Sequence, residues 1–223
     1  METKTFLGSV LGDQGNYCLW CYNSNNKNDI KQEFYPSTEE LIQRAEELDA
    51  AEYNVFFALG TFKEPTNRKQ INVQEMKSFF FDLDCGPSKD FPTQDEAFKA
   101  LNRFCKNNKL PRPTMVNSGN GIHVYWPLTK SVDEASWYPV AESLKQLCVK
   151  QSFPADPSRT SDAASILRVP NTHNYKGSEP KPVSLMGTYF AEPIEFSDFE
   201  NRVGGAIPVP HKFTPSAYSD ALN

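Results

Sequence analysis

Apolar residues recur along this chain in two rhythms, one helical and one alternating. In "PSTEELIQRAEELDAA" (36–51), Leu41, Ala45 and Leu48 return on one face, and Ser37 with Glu40 forms a capping box, so a helix is predicted. A second box, Thr93 with Glu96, opens a helix in "FPTQDEAFKALNRFCKNNK" (91–109), whose apolar face is Ala97, Phe98, Leu101, Phe104 and Cys105. A third helix, within 131–152, buries Trp137, Val140, Leu144, Leu147 and Cys148, with Pro139 expected near its first turn. Strands are predicted at 17–22, 53–59, 78–86, 165–169 and 183–190, and "PTMVNSGNGIHVYWPL" (113–128) reads as strand, tight turn at Gly119 and Gly121, and strand. Asn-rich 23–29 and "GTFKEPTNRKQ" (60–70) read as loops; Lys63, Arg68 and Lys69 make the second either a phosphate binder or a solvated connection.

From 78 onward the order is β-α-β-β-α-β with an additional strand. That order predicts an α/β (α+β) fold: a split βαβ sheet backed by helices, packed against a preceding α/β segment, with the active site between the two modules. The expected division is a catalytic domain over 1–205, made of an N-terminal module (1–75) and a split-βαβ module (76–205). Residues 206–223, with Pro208, Pro210 and Pro215, read as a linker or tail leading to a further domain. There is no internal repeat.

Composition changes this picture little. The 223 residues include 16 Phe, 9 Tyr and 3 Trp, ample for a core. No apolar run reaches the roughly 20 residues that span a bilayer, and no signal peptide is evident, so a soluble, cytoplasmic protein is expected, with no membrane partner. The five cysteines fit a reducing compartment. Cys18 and Cys21 have zinc-like spacing but lack a second pair, and their segment also scans as a plain apolar strand.

Charge is more informative. The net value is −5, which taken alone argues against a nucleic-acid partner, yet residues 61–181 carry 17 basic and 13 acidic side chains, a local excess of +4. Lys99, Arg103, Lys106, Lys109 and Arg112, around the end of the second helix, serve either its dipole or a template.

The unusual chemistry lies in three stretches. In "SFFFDLDCG" (78–86), Asp82 and Asp84 fall on one face of a strand and Phe79, Phe81, Leu83 and Cys85 on the other. The two acids stand roughly 7 Å apart at Cα. Like charges so close call for a positive neutraliser, and a divalent metal is the simplest; the alternative is a fraying strand end in water. In "NSGNGIHVYW" (117–126), amides near Gly119 and Gly121 suit close approach to phosphate, and His123 lies on the polar face of its strand. The third stretch (153–176) holds Asp156, Arg159, Asp162, Arg168, His173 and Lys176, where Arg168 either serves a site or pairs with Asp162.

Together, in motif order over about residues 50–185, these stretches resemble the archaeo-eukaryotic primase superfamily, and within it the primase-polymerase domains of phages and plasmids. The matching features are an acidic Asp-x-Asp ending an apolar strand, Ser-Gly-x-Gly-x-His, a small residue before Asp156, and Arg-x-Pro-x-Thr-x-Asn-x-Lys. The resemblance implies a two-module catalytic core whose second module is RRM-like. It also implies a template-directed nucleotidyltransferase, a DNA primase or DNA polymerase, that joins nucleoside triphosphates to a 3′-hydroxyl. By resemblance, Asp82, Asp84 and Asp156 bind Mg²⁺ or Mn²⁺ and are catalytic together with His123, with Asp162 the other candidate for the third acid. Ser118, Gly119, Gly121 and His123 meet the incoming nucleotide, and Arg168 and Lys176 lie near its phosphates. The implied partners are a single-stranded DNA template and primer, dNTPs or NTPs, and a helicase domain or helicase following the C-terminus. One departure is Pro170-Asn171-Thr172 where relatives carry Pro-Gly-Thr; Asn tolerates the left-handed conformation that Gly supplies. Two rival readings of the same residues are a metal-dependent phosphodiesterase or nuclease, and a non-catalytic RRM-like binder of single strands that stacks bases on sheet aromatics such as Phe80 and Tyr125.

Overall fold

A computed structural model describes residues 2–205; the tail expected over 206–223 lies outside the described residues. The chain runs α1 (Glu2–Val10), β1 (Tyr17–Asn23), β2 (Ile30–Tyr35), α2 (Thr38–Ala50), β3 (Tyr53–Ala58), β4 (Gly60–Phe62), β5 (Val73–Asp84), α3 (Gln94–Asn107), β6 (Thr114–Asn117) and β7 (Gly121–Val132). It continues through α4 (Glu134–Lys150), α5 (Pro157–Thr160), β8 (Ile166–Arg168), β9 (His173–Asn174), β10 (Lys181–Pro182), β11 (Ser184–Leu185) and α6 (Phe196–Val203). Among the described residues no helix is long and apolar enough to cross a membrane.

Local chemistry starts the helices. Ser37 accepts the Glu40 amide at the head of α2, Thr93 does the same for Glu96 at α3, and Asp133 caps α4 through the Ser136 amide at 2.7 Å. Pro139 stands in the second turn of α4 rather than the first. Asn171 has φ +67°, the left-handed conformation that its Pro-Asn-Thr run leaves open to it.

Two antiparallel sheets organise the rest. One has the order β11-β6-β7-β5-β4 and the other β2-β1-β3-β8. In the first, β7 lies between β5 and β6, so β5–α3–β6 is a split βαβ unit, as the element order predicts. The last strand of that order does not complete the same sheet. β8 pairs instead with β3, and β4 takes the edge beside β5. The sheets thus exchange strands across the 75/76 division, which falls inside β5.

Not anticipated were α1, β2 and α6, and with them the short β4, which takes the start of the expected 60–70 loop, α5, β9 and β10. Helix α1 is short, carries Gly8 within it and has no cap signal in its sequence, yet it buries Phe6, Leu7 and Val10. Strand β2 is a half-exposed edge strand with weak alternation. Helix α6 is eight residues closed by Gly204 at φ +101°. The strand expected over 183–190 shrinks to Ser184–Leu185, paired with β6, and the Met186 amide adds one more bond to the Met115 carbonyl.

The core lies on both faces of β5. Phe79 stacks on Phe199 with ring centroids 4.2 Å apart, and Phe81 meets Trp126 edge-on at 5.1 Å. On the other face, Phe80 and Tyr125 are fully buried, with Phe6 of α1 against Tyr125 at 4.9 Å. These two rings therefore offer no stacking surface. On this face the cover thins at Asp82 and is gone at Asp84, which leaves the end of β5 as the place where polar groups gather.

Candidate active site

The register of β5 against β7 sets Asp82 opposite His123 and Asp84 opposite Gly121. Directly opposed residues of an antiparallel pair point to the same face, so Asp82 and His123 are neighbours: His123 Nε2 lies 3.7 Å from Asp82 Oδ1. The third stretch is tied to this strand by its backbone, for the Asp156 amide donates to the Asp82 carbonyl at 3.1 Å. Asp82, Asp84 and Asp156 thereby line one cavity of about 400 Å³, together with Lys89, Asp90, Phe153 and others.

The carboxylates differ in environment. The Asp82 side chain is 17% exposed, and burial pushes its carboxyl up to about 6 against the pull of Arg159, with Asp84 and Asp156 adding to the rise. Asp84 is exposed and takes an ion pair from Lys89 at 2.8 Å. Asp156 caps α5, accepting from the Ser158 amide at 2.9 Å and its hydroxyl at 2.6 Å. Arg159, one turn on, holds its Nε 3.3 Å from Asp82 and 3.4 Å from Asp156, so a guanidinium stands between two of the three acids. Among the described residues no three His, Cys, Asp or Glu side chains already converge as a metal cage. The donors on the cavity wall are nonetheless carboxylate oxygens, the type that a hard divalent cation takes, and Arg159 and Lys89 supply the positive charge they otherwise lack.

Asp162, the other candidate for the third acid, turns into its own loop, accepting from the Ala164 amide at 2.9 Å and the Ser165 hydroxyl at 3.4 Å. It is absent from the cavity wall.

His123 is buried, and its Nδ1 has no hydrogen-bond partner. Burial, reinforced by Arg168 and Arg159, holds its imidazole well below the ordinary histidine range, so the ring is neutral at pH 7. Arg168 on β8 is likewise buried, with its guanidinium 4.6 Å over the Phe56 ring and Nη2 unpartnered. Lys176 lies within electrostatic reach of Arg168, Arg159, Asp84 and Asp82.

The glycine turn is built by contact. Gly119 has φ +88°, and its amide donates to Asn117 Oδ1 at 2.8 Å. A Cβ on Gly121 would stand 2.4 Å from the Leu83 carbonyl. Ser118 is buried, its amide donating to the Gly121 carbonyl and its carbonyl accepting from Asn174 Nδ2 at 2.8 Å.

Several other residues have structural employment. The Arg68 guanidinium turns inward and donates to the Ala164 carbonyl. His173 pairs with Asp49 at 2.8 Å. Cys18 and Cys21, three apart on β1, face opposite ways, and burial pushes their thiols up to about 12 and about 11. The positions that the sequence motifs did not single out are Arg159 between the acids and Lys89 on Asp84. The i, i+3 spacing of Asp156 and Arg159 was the available signal for the first; the second depends on how the loop after β5 folds back.

No protein-family model matches the chain. A replication protein from Clostridium perfringens is 33% identical over 134 residues, covering 58% of this chain and 31% of that protein, so the chain spans about a third of that relative's length. The primase-polymerase AEP domain of cyanophage S-2L superposes with a TM-score of 0.60 at 15% identity, covering 85% of this chain and 89% of that one. The catalytic domain of primase RepB′ in complex with initiator DNA gives a TM-score of 0.56 at 12% identity, covering 91% and 88%. The chain has the fold of these primase-polymerase and primase catalytic domains.

Proposed function

We propose that this protein is a template-directed nucleotidyltransferase, a DNA primase, a DNA polymerase, or both. The observation that carries the reading is the convergence of Asp82, Asp84 and Asp156 on one cavity wall, with neutral His123 directly behind Asp82. The fold it shares with primase-polymerase domains supports it.

Asp82, Asp84 and Asp156 would hold Mg²⁺ or Mn²⁺. Such ions, when bound, polarise the attacking 3′-oxygen and neutralise the pyrophosphate leaving group. The protein's own contributions are separate. Asp156 is fixed as the cap of α5 and by its amide bond to β5, so its carboxylate stays beside Asp82. His123, buried and neutral, offers one N–H to a phosphate oxygen without adding a competing charge next to the acids. Arg159, Arg168 and Lys176 place positive charge around the cavity where a triphosphate needs it.

Primer extension and de novo dinucleotide synthesis, run with dNTPs and NTPs separately and with each cation, test the proposal. The expected result is product from the wild type and at least about a hundredfold less from Asp82→Ala with Asp84→Ala. Equal product from that variant, or none from the wild type, rejects the reading. Release of nucleotides from DNA without added triphosphates would assign the acids to hydrolysis instead.

A further inference from the structure

Trp20 and Tyr22 on β1 and Phe56 on β3 share one face of the four-stranded sheet. The register sets Gln32, Trp20, Phe56 and Arg168 in a single row across β2, β1, β3 and β8, and Tyr22 stands in the row beside it. The rings touch: Trp20 lies 5.7 Å from Phe56 and 5.7 Å from Tyr22, and Tyr22 is near-parallel to Phe56 at 6.2 Å. On the opposite face, Leu19, Cys21, Val55 and Phe57 are buried in the core. Trp20, Tyr22 and Phe56 instead keep part of their surface in solvent. Exposed Gln32 begins the row and buried Arg168 ends it, so the row leads from the open edge of the sheet inward. At the inner end, the Arg168 guanidinium covers Phe56, has one amino group without a partner, and lies within electrostatic reach of Asp82.

We propose that this aromatic row is a stacking platform for the bases of a single DNA strand, leading that strand to the carboxylate cavity. The proposal deepens the nucleotidyltransferase reading and rests on it for the cavity's role. The solvent-facing parts of these three rings accept any base, because every base has a π-face, whereas a duplex hides those faces inside its stack. The unsatisfied Arg168 donor at the end of the row, desolvated against Phe56, is a ready partner for a phosphate or a base edge.

The tryptophans provide the probe. Trp126 and Trp137 are fully buried, so of the chain's three tryptophans Trp20 alone meets solvent. With EDTA present and no triphosphate, an oligothymidylate of about eight nucleotides should quench tryptophan fluorescence, and Trp20→Phe should abolish most of that quenching. Trp20→Ala with Phe56→Ala should weaken binding of the labelled strand about tenfold or more in fluorescence anisotropy, with an unchanged circular dichroism spectrum. An abasic strand of equal length, tested on the wild type, needs no variant to fold: it carries the phosphates without the bases and should bind as weakly as the oligothymidylate binds the double variant. Equal wild-type affinity for the abasic and base-bearing strands, or no quenching on saturation, overturns the platform. Base-dependent binding without any primer extension would sink the catalytic reading and leave the platform standing, whereas extension without base-dependent binding does the reverse.

Discussion

At Asp82 a carboxylate sits where water scarcely reaches, and the fold bears the cost of its charge. Its pKa is raised from 3.8 to about 6, chiefly by burial. Below the unfolded value both states are protonated and no penalty applies. Between about 4 and 6 the native state holds the proton more tightly, so stability falls as pH rises, and above 6 the full penalty remains, about 3 kcal/mol from the size of the shift. Asp82→Asn removes the ionisation, leaving Arg159 its contact with Asp156. In the absence of divalent metal that variant should unfold later than the wild type at pH 7.5, by up to about 3 kcal/mol in urea, and show no such gain at pH 4. A wild-type stability that stays flat from pH 4 to 6.5, or a variant weaker than wild type at pH 7.5, would contradict the buried-charge account.

The turn between β6 and β7 shows how one element fixes the relation of the others. Gly121 stands opposite Asp84, and a methyl group there would meet the Leu83 carbonyl, a backbone atom that cannot swing aside. Gly121→Ala should therefore push β7 from β5 at the Asp82–His123 step. The expected loss is about 2 kcal/mol or more in denaturant unfolding with an unchanged m-value, and a substitution within about 0.5 kcal/mol of wild type would show that the strands have slack. This element was legible in the sequence, because paired glycines between alternating strands are a local signal. The capping boxes at Ser37 and Thr93 were legible for the same reason, as both partners lie within four residues. What escaped was non-local or unmarked. Helix α1 carries no cap signal in its sequence and buries Phe6 against Tyr125, far along the chain. Arg159 was visible as a charge, but its place between Asp82 and Asp156 depends on the amide of Asp156 docking on β5.

On the scale of the whole molecule, the exchange of strands between the two sheets decides whether the N-terminal and C-terminal halves are separable. Strand β4, from the first 75 residues, closes the edge of the sheet that carries Asp82; β8, from beyond residue 76, completes the sheet that carries Trp20 and Phe56. The Leu59 amide donates to Ser165 and the Val169 amide to Val55, adding bonds across the same division. Residues 76–205 alone would lose β4, the start of β5 and the partner of β8. They would also expose Tyr125, whose cover comes from Phe6 and Phe57. The sequence order implied two modules in contact and gave no sign of this exchange, since a three-residue strand has too little pattern to declare its partner. A fragment of residues 1–205 should melt in a single cooperative transition seen alike by near- and far-ultraviolet circular dichroism. The 76–205 fragment should show no near-ultraviolet signal and bind a hydrophobic dye. A separately folded 76–205 fragment would mean that β4 and β8 merely decorate the sheets. The expected interdependence keeps Arg168, carried on β8, fixed relative to both Phe56 and Asp82, so that a strand lying on one sheet is held at a constant distance from the acids of the other.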